Sequence, residues 1–252
     1  MQPNRFVASG VHLAISAGIA VLVLLMMKLV WYPGPYFDVI GAGRLILILV
    51  AVDVVIGPLI TLIVFDTKKP ELKRDLLIVA LLQATALGYG VYTVYQARPV
   101  YAVFNVDRLD VVTAAEIDPG ELSKVQRQEF KSLPWSGPEI IAAKLPENPK
   151  ERQRILLSSV AGGADVYQLP QYYVPYADMA AEVKSKAKPL AVLKAKESAR
   201  EIVNAYVADS GRSESQLGIL PLRGKQRDMV AVLDLKTGEV LRFLPIDPFS
   251  IN

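Results

Sequence analysis

The chain has no cysteine in its 252 residues. That excludes disulfides, thiolate metal sites and a cysteine nucleophile. It leaves an oxidising compartment open, because a domain of roughly 150 residues builds a core without covalent staples. Histidine is almost as scarce: the one present, His12, lies in an apolar run. A Ser-His-Asp triad elsewhere in the chain is therefore impossible, and so is a histidine-based zinc site. Neither a G-x-x-x-x-G-K-[ST] nor a G-x-G-x-x-G phosphate loop occurs. The glycine pair in Ala161-Gly162-Gly163-Ala164-Asp165 reads as a turn after a helix. Charge of one sign is also lacking, since positions 98–252 carry 21 Lys/Arg against 20 Asp/Glu. Nucleic acid is not an expected partner of so balanced a surface. No carboxylate spacing nominates an acid–base couple. The expectation is a chain without enzymatic activity, cofactor or metal.

What the sequence has in plenty is apolar residues, 52% of the chain. They gather into three N-terminal runs, about 6–32, 45–65 and 76–95. Each meets the roughly 20 residues needed to cross a bilayer as a helix. The first run is longer than the apolar stretch of about 7–15 residues in a secretory signal, and no small-x-small cleavage site follows it. It reads as a retained anchor. The predicted architecture is a membrane domain over 1–97, with three transmembrane α-helices, followed by a soluble α+β domain over 98–252. Lys68, Lys69, Lys73 and Arg74 crowd the loop after the second run, whereas Tyr32 to Gly43 holds no cation. The excess of Lys and Arg in short loops faces the cytoplasm. This places the N-terminus inside and the C-terminal domain outside: a multi-pass protein of a bacterial inner membrane with a periplasmic domain. Trp31-Tyr32 and Tyr92 to Tyr95 suit the aromatic belts at the bilayer surfaces.

Polar side chains inside spans are costly and tend to face protein. Asp53 sits near the middle of the second run, and Gly57 and Thr61 follow at four-residue steps on the same helix face. Pro58 lacks the backbone donor an α-helix needs there, which predicts a kink. Gln83 lies at a comparable depth in the third run, within expected hydrogen-bonding reach of Asp53. Ala80, Ala84 and Gly88 form a small-residue ridge suited to close helix approach. Ser9, His12 and Ser16 form a polar stripe in the first run, and Lys28 snorkels near its end. Two readings stay open for the Asp53 face: glue between the three spans, or a seat for a partner helix. A proton or ion relay is a third and weaker one.

Beyond Arg98-Pro99 the pattern changes. Val100 to Val106 alternates as a strand. Pro119 to Ser132 reads as an amphipathic helix presenting Leu122, Val125 and Phe130. Glu139 to Lys144 reads as a short strand. Asn148-Pro149 is a cap-and-first-turn signal for a helix to about Val160. Further helices are expected over about 177–186 and 193–208. Strands are expected at 217–222, 229–235 and 239–244, the last two joined by a turn at Lys236-Thr237-Gly238. Tyr172, Tyr173 and Tyr176 read as cover for the domain's own core, with a contact surface as the alternative. The lysines at 184, 186, 188, 194 and 196 read as a solvated face.

Three segments are distinctive. The first is Asp53-Val-Val-Ile-Gly57-Pro58-Leu59-Ile-Thr61 with Lys73-Arg74-Asp75 after it. The second is Gln83-x-x-Ala86-Leu87-x-Tyr89-Gly90. The third is Arg98-Pro99-Val-Tyr-x-Val-Phe104-x-Val-Asp107-Arg108. Together they resemble the type IV pilin accessory proteins of the TfpX/TfpZ kind. The layout agrees along the whole chain, most closely from Asp53 to Arg108. The resemblance implies an inner-membrane factor for type IV pilus biogenesis, without known catalysis, matched to one major pilin. Other pilus assembly proteins of the inner membrane are further candidate partners. Its pattern falls on Asp53, Gly57, Pro58, Lys73, Asp75, Gln83, Tyr89, Gly90, Arg98, Pro99, Asp107 and Arg108, and leaves their roles open. A membrane chaperone that holds the pilin is the first functional expectation. The alternative is a periplasm-facing sensor or regulator of pilus extension and retraction that holds no pilin.

Overall fold

The computed structural model describes residues 4–250, and they fall into two compact units. One gathers the residues up to Phe37 with Gly41–Ala97, and the other gathers Asp38–Ile40 with the residues from Arg98 on.

The first unit consists of three long helices: α1 (Arg5–Trp31), α2 (Ala42–Val64) and α3 (Leu72–Gln96). Each is long and apolar enough to cross a membrane. Their large side chains are mostly exposed, as with Leu22, Leu47, Ile63 and Leu82. In water this would be untenable; in lipid tails it costs nothing. The protein is therefore read as membrane-associated through these three helices. Helix α3 starts at Leu72, inside the basic loop rather than after it, with Asp75 in its first turn. The Asn4 side chain caps α1 by accepting from the Val7 N–H at 2.9 Å. Near the other end, the buried Tyr32 hydroxyl donates to the Val94 carbonyl at 2.6 Å. Trp31 packs edge-on against Tyr95, ring centres 5.3 Å apart.

The second unit is an α+β domain on one eight-stranded mixed sheet. Its strands are β1 (Pro99–Asn105), β2 (Arg108–Thr113), β3 (Glu139–Ala143), β4 (Tyr173–Pro175), β5 (Lys188–Pro189), β6 (Leu217–Arg223), β7 (Met229–Asp234) and β8 (Val240–Leu244). The order is β4-β3-β1-β2-β6-β7-β8, with β5 paired to β6. Strand β1 runs antiparallel to β2 and parallel to β3, and β2 runs parallel to β6. Every residue of β1 is buried, so both of its faces are covered. Three helices follow in order: α4 (Pro149–Val160), α5 (Ala180–Lys186) and α6 (Glu197–Ser210). Asn148 caps α4 as its sequence predicts, accepting from the Lys150 N–H at 3.0 Å. The turn before β8 uses Gly238 at φ +84°, a conformation that favours glycine.

Two apolar clusters cover the sheet. Tyr101, Phe130 and Tyr173 stack edge-on at the centre of one. Leu190, Leu193, Val203 and Tyr206 close the other over β6 and β7. The helix expected from Pro119 to Ser132 is not formed. A single turn, Pro119–Leu122, gives way to irregular chain and a short 3-10 turn at Gln128–Phe130. The Ser123 hydroxyl turns back to the Gly120 carbonyl at 2.7 Å, and Phe130 is drawn into the ring cluster. Tertiary packing overrides local propensity there. The tyrosines serve the fold: the Tyr173 hydroxyl donates to the Tyr167 carbonyl, Tyr172 to Glu151 and Tyr176 to the Gly238 carbonyl. The loop residue Val39 is fully buried in this unit, and its carbonyl accepts from the Lys225 and Gln226 N–H groups at 3.0 and 2.9 Å.

Candidate functional site

The site begins with a local problem in α2. Proline at 58 has no N–H, and its ring would strike the carbonyl four residues back in a regular α-helix. The chain answers by widening: Ala51–Ile56 is a π-helical turn, and the Gly57 N–H donates to the Val52 carbonyl five residues earlier. The expected kink thus takes the form of a π-bulge, a feature common at functional sites. It also changes the phase of the helix. In a regular α-helix a four-residue step overshoots one turn by about 40°. The wider turn takes up that drift, so Leu49, Asp53, Gly57 and Thr61 all stay on the buried side.

The other two helices meet this face through polar contacts. His12 Nδ1 lies 2.6 Å from Thr61 Oγ1, and the Ser9 hydroxyl donates to the Pro58 carbonyl at 2.9 Å. From α3, the Gln83 carboxamide packs directly on the backbone at Gly57. A Cβ added at Gly57 would overlap its nitrogen. Gly90 allows the second close approach, where a Cβ would come 3.2 Å from Leu49 Cδ1. The bond expected between Gln83 and Asp53 is not among the hydrogen bonds of the described residues, since the amide is turned onto Gly57. The small-residue ridge is not the packing surface of α3 either: Gly88 faces open space, and Ala80 and Ala84 are exposed.

Those alanines line a half-open cavity of about 580 Å³ whose walls come from all three helices. It runs from Val7, Phe65 and Leu76, near the basic loop, to Ala20, Leu49 and Leu87 at mid-helix. Its walls are apolar. His12, Ser16, Asp53, Thr61 and Gln83 supply its polar groups. Asp53 is only 7% exposed.

The structure thus brings together Asp53, Gly57, Pro58, Thr61 and Gln83. It adds a wall on α1 whose signal was the Ser9, His12 and Ser16 stripe. The remaining pattern residues lie apart. Tyr89 and Lys73 are exposed and Asp75 half-buried. Arg98 is buried, donating to the Pro134 carbonyl at 3.1 Å, and its own carbonyl accepts from the Ala114 N–H. Pro99 opens β1 opposite Thr113. Arg108 lies 3.6 Å from Asp107 and 3.2 Å from the buried Asp110. Burial pushes the Asp110 carboxyl above its ordinary range, while the Arg108 charge and hydrogen bond pull it back. These four residues hold the β1–β2 hairpin and its start. Among the described residues no cluster of three His, Asp or Glu side chains is arranged for a metal ion.

The family model "Fimbrial assembly protein FimB" matches residues 3–41, most of which belong to α1. Two fimbrial assembly proteins of Dichelobacter nodosus, of serogroups I and E1, are 29% and 28% identical to the chain over the full length of both partners. A third from that organism, of serogroups C1 and C2, is 34% identical over 128 residues, which cover 48% of this chain and 98% of that protein. No solved structure matches the chain. The agreement along the whole length, with the closer match over nearly all of the shorter relative, shows that the chain belongs to the FimB family of fimbrial assembly proteins.

Proposed function

We propose that this protein is an inner-membrane accessory factor of type IV pilus biogenesis, of the TfpX/TfpZ kind, that chaperones its cognate major pilin. Family membership supplies the process. The observation that carries the finer reading is the cavity between the helices, with a buried acid at mid-depth and apolar walls. Before assembly, a pilin is a single apolar helix in the inner membrane bearing a periplasmic head. A groove open along one half of a helical bundle suits such a client. In this reading the loop with Lys68, Lys69, Lys73 and Arg74 is cytoplasmic. The α+β domain is periplasmic and meets the pilin head. The chemistry is binding and orientation only, with no covalent step.

Deletion of the gene is the direct test. The expected outcome is a several-fold fall in pilin level or surface pili, restored by the intact gene. Normal pilin level together with normal piliation would refute the chaperone role. Unchanged pilin but altered extension and retraction would point instead to a regulator.

A further inference from the structure

Resting on the reading of the cavity as a seat for a membrane helix, we infer that it selects a helix carrying a hydrogen-bond donor at the depth of Asp53. Three observations support this. First, Asp53 is almost fully buried, lines the cavity, and receives no hydrogen bond among the described residues. It lies midway along α2, where the bilayer offers no water. An acid at that depth needs a donor. The cations of the three helices stand near their ends, at Arg5, Lys28, Arg44, Lys73 and Arg74. His12 is the titratable neighbour at this depth; its Nδ1 is engaged with Thr61, and it interacts with Asp53 through space, without a hydrogen bond among the described residues.

Second, the size of the cavity fits one face of a helix. From Val7 to Ala20 the wall rises by about 20 Å, and a helix of that length, about 10 Å across with its side chains, fills roughly 1,600 Å³. The cavity holds about 580 Å³. It accepts the ridge of side chains from a neighbouring helix whose other faces stay in lipid.

Third, the placement of polar groups disfavours a lipid tail. A lipid enters such a groove with its headgroup at the bilayer surface and its terminal methyl deepest. That methyl would meet Asp53, Gln83 and Ser16, leaving their polar atoms without partners. A helix with a hydroxyl, amide or ammonium group at mid-depth fills the apolar walls and satisfies the acid together.

The test uses the full chain in neutral-lipid vesicles with a photo-reactive side chain in place of Ile15 at the cavity wall. The probes are synthetic Leu/Ala helices of membrane-spanning length: one wholly apolar, one with a single Asn at its midpoint, and one with that Asn near an end. The expected result is about three- to thirtyfold more capture of the midpoint-Asn helix than of the other two, the range set by one hydrogen bond between membrane helices. That preference should vanish in Asp53→Leu while capture of the apolar helix is retained, which also shows that the variant still folds. Equal capture of the three probes overturns the inference, as does a preference that survives Asp53→Leu or labelling of lipid alone. Because the probes contain no pilin sequence, such a failure leaves the pilin reading standing, and the deletion strain tests that reading separately.

Discussion

Gly57 sets how closely α2 and α3 approach. With no side chain there, the Gln83 amide rests on the helix backbone, and any Cβ would displace it. Gly57→Ala pushes aside the flexible end of Gln83, and alanine's helix preference offsets part of the strain, so the net cost should stay below about 1 kcal/mol. A lower thermal midpoint of the purified protein would report it. Gln83→Ala removes the obstructing group, so the double variant should recover most of the loss. Strictly additive costs would show that the two residues do not meet. Asp53, Gly57 and Gln83 were legible from sequence because polar and small residues in an apolar run stand out. The orientation of Gln83 was not. Depth alone paired it with Asp53, whereas the absence of a Cβ at Gly57 offered it a nearer surface.

At the scale of elements, the β1–β2 hairpin carries the clearest backbone strain. Val106 has φ +60°, a left-handed conformation that a β-branched residue rarely adopts. The turn is closed by the Asp107 N–H donating to the Asn105 carbonyl at 2.7 Å. The Val106 side chain is half exposed at the tip. Relieving the strain is worth about 1–2 kcal/mol, and glycine would return about 0.5–1 of that through lost chain entropy. Val106→Gly should thus raise the urea midpoint, and by more than Val106→Asn, because positive φ at the first residue alone of a two-residue hairpin turn favours glycine. A fall with both substitutions would mean that the valine makes a contact outweighing its strain. The same hairpin gives Asp107 and Arg108 a structural use: Arg108 pairs with Asp107 and with buried Asp110. Elements with a strong local signal were readable, such as the Asn148-capped helix and the three apolar helices. The Pro119–Ser132 segment was not, because Phe130 is claimed by rings more than forty residues away at Tyr173. The π-turn was foreshadowed by Pro58, but its effect on phase shows only in three dimensions.

At the scale of the whole molecule, the conspicuous chemistry lies in the apolar part. The α+β unit spends its buried tyrosines and charges on its own core and hairpin. In the three-helix unit, Asp53 and Gln83 line the cavity between the helices. The hydropathy pattern announced the three long apolar helices. The cavity was hidden because its third wall depends on how the Ser9, His12 and Ser16 stripe of α1 meets α2. Site-specific photo-cross-linking in living cells tests the central claim most directly, with the reactive side chain placed either at Ile15, on the cavity wall, or at Leu29, exposed on α1 away from the cavity. The claim predicts that pilin is trapped from position 15 and not from position 29. Equal trapping of pilin at both positions, or capture of a pilus motor-platform protein in its place at position 15, would contradict it.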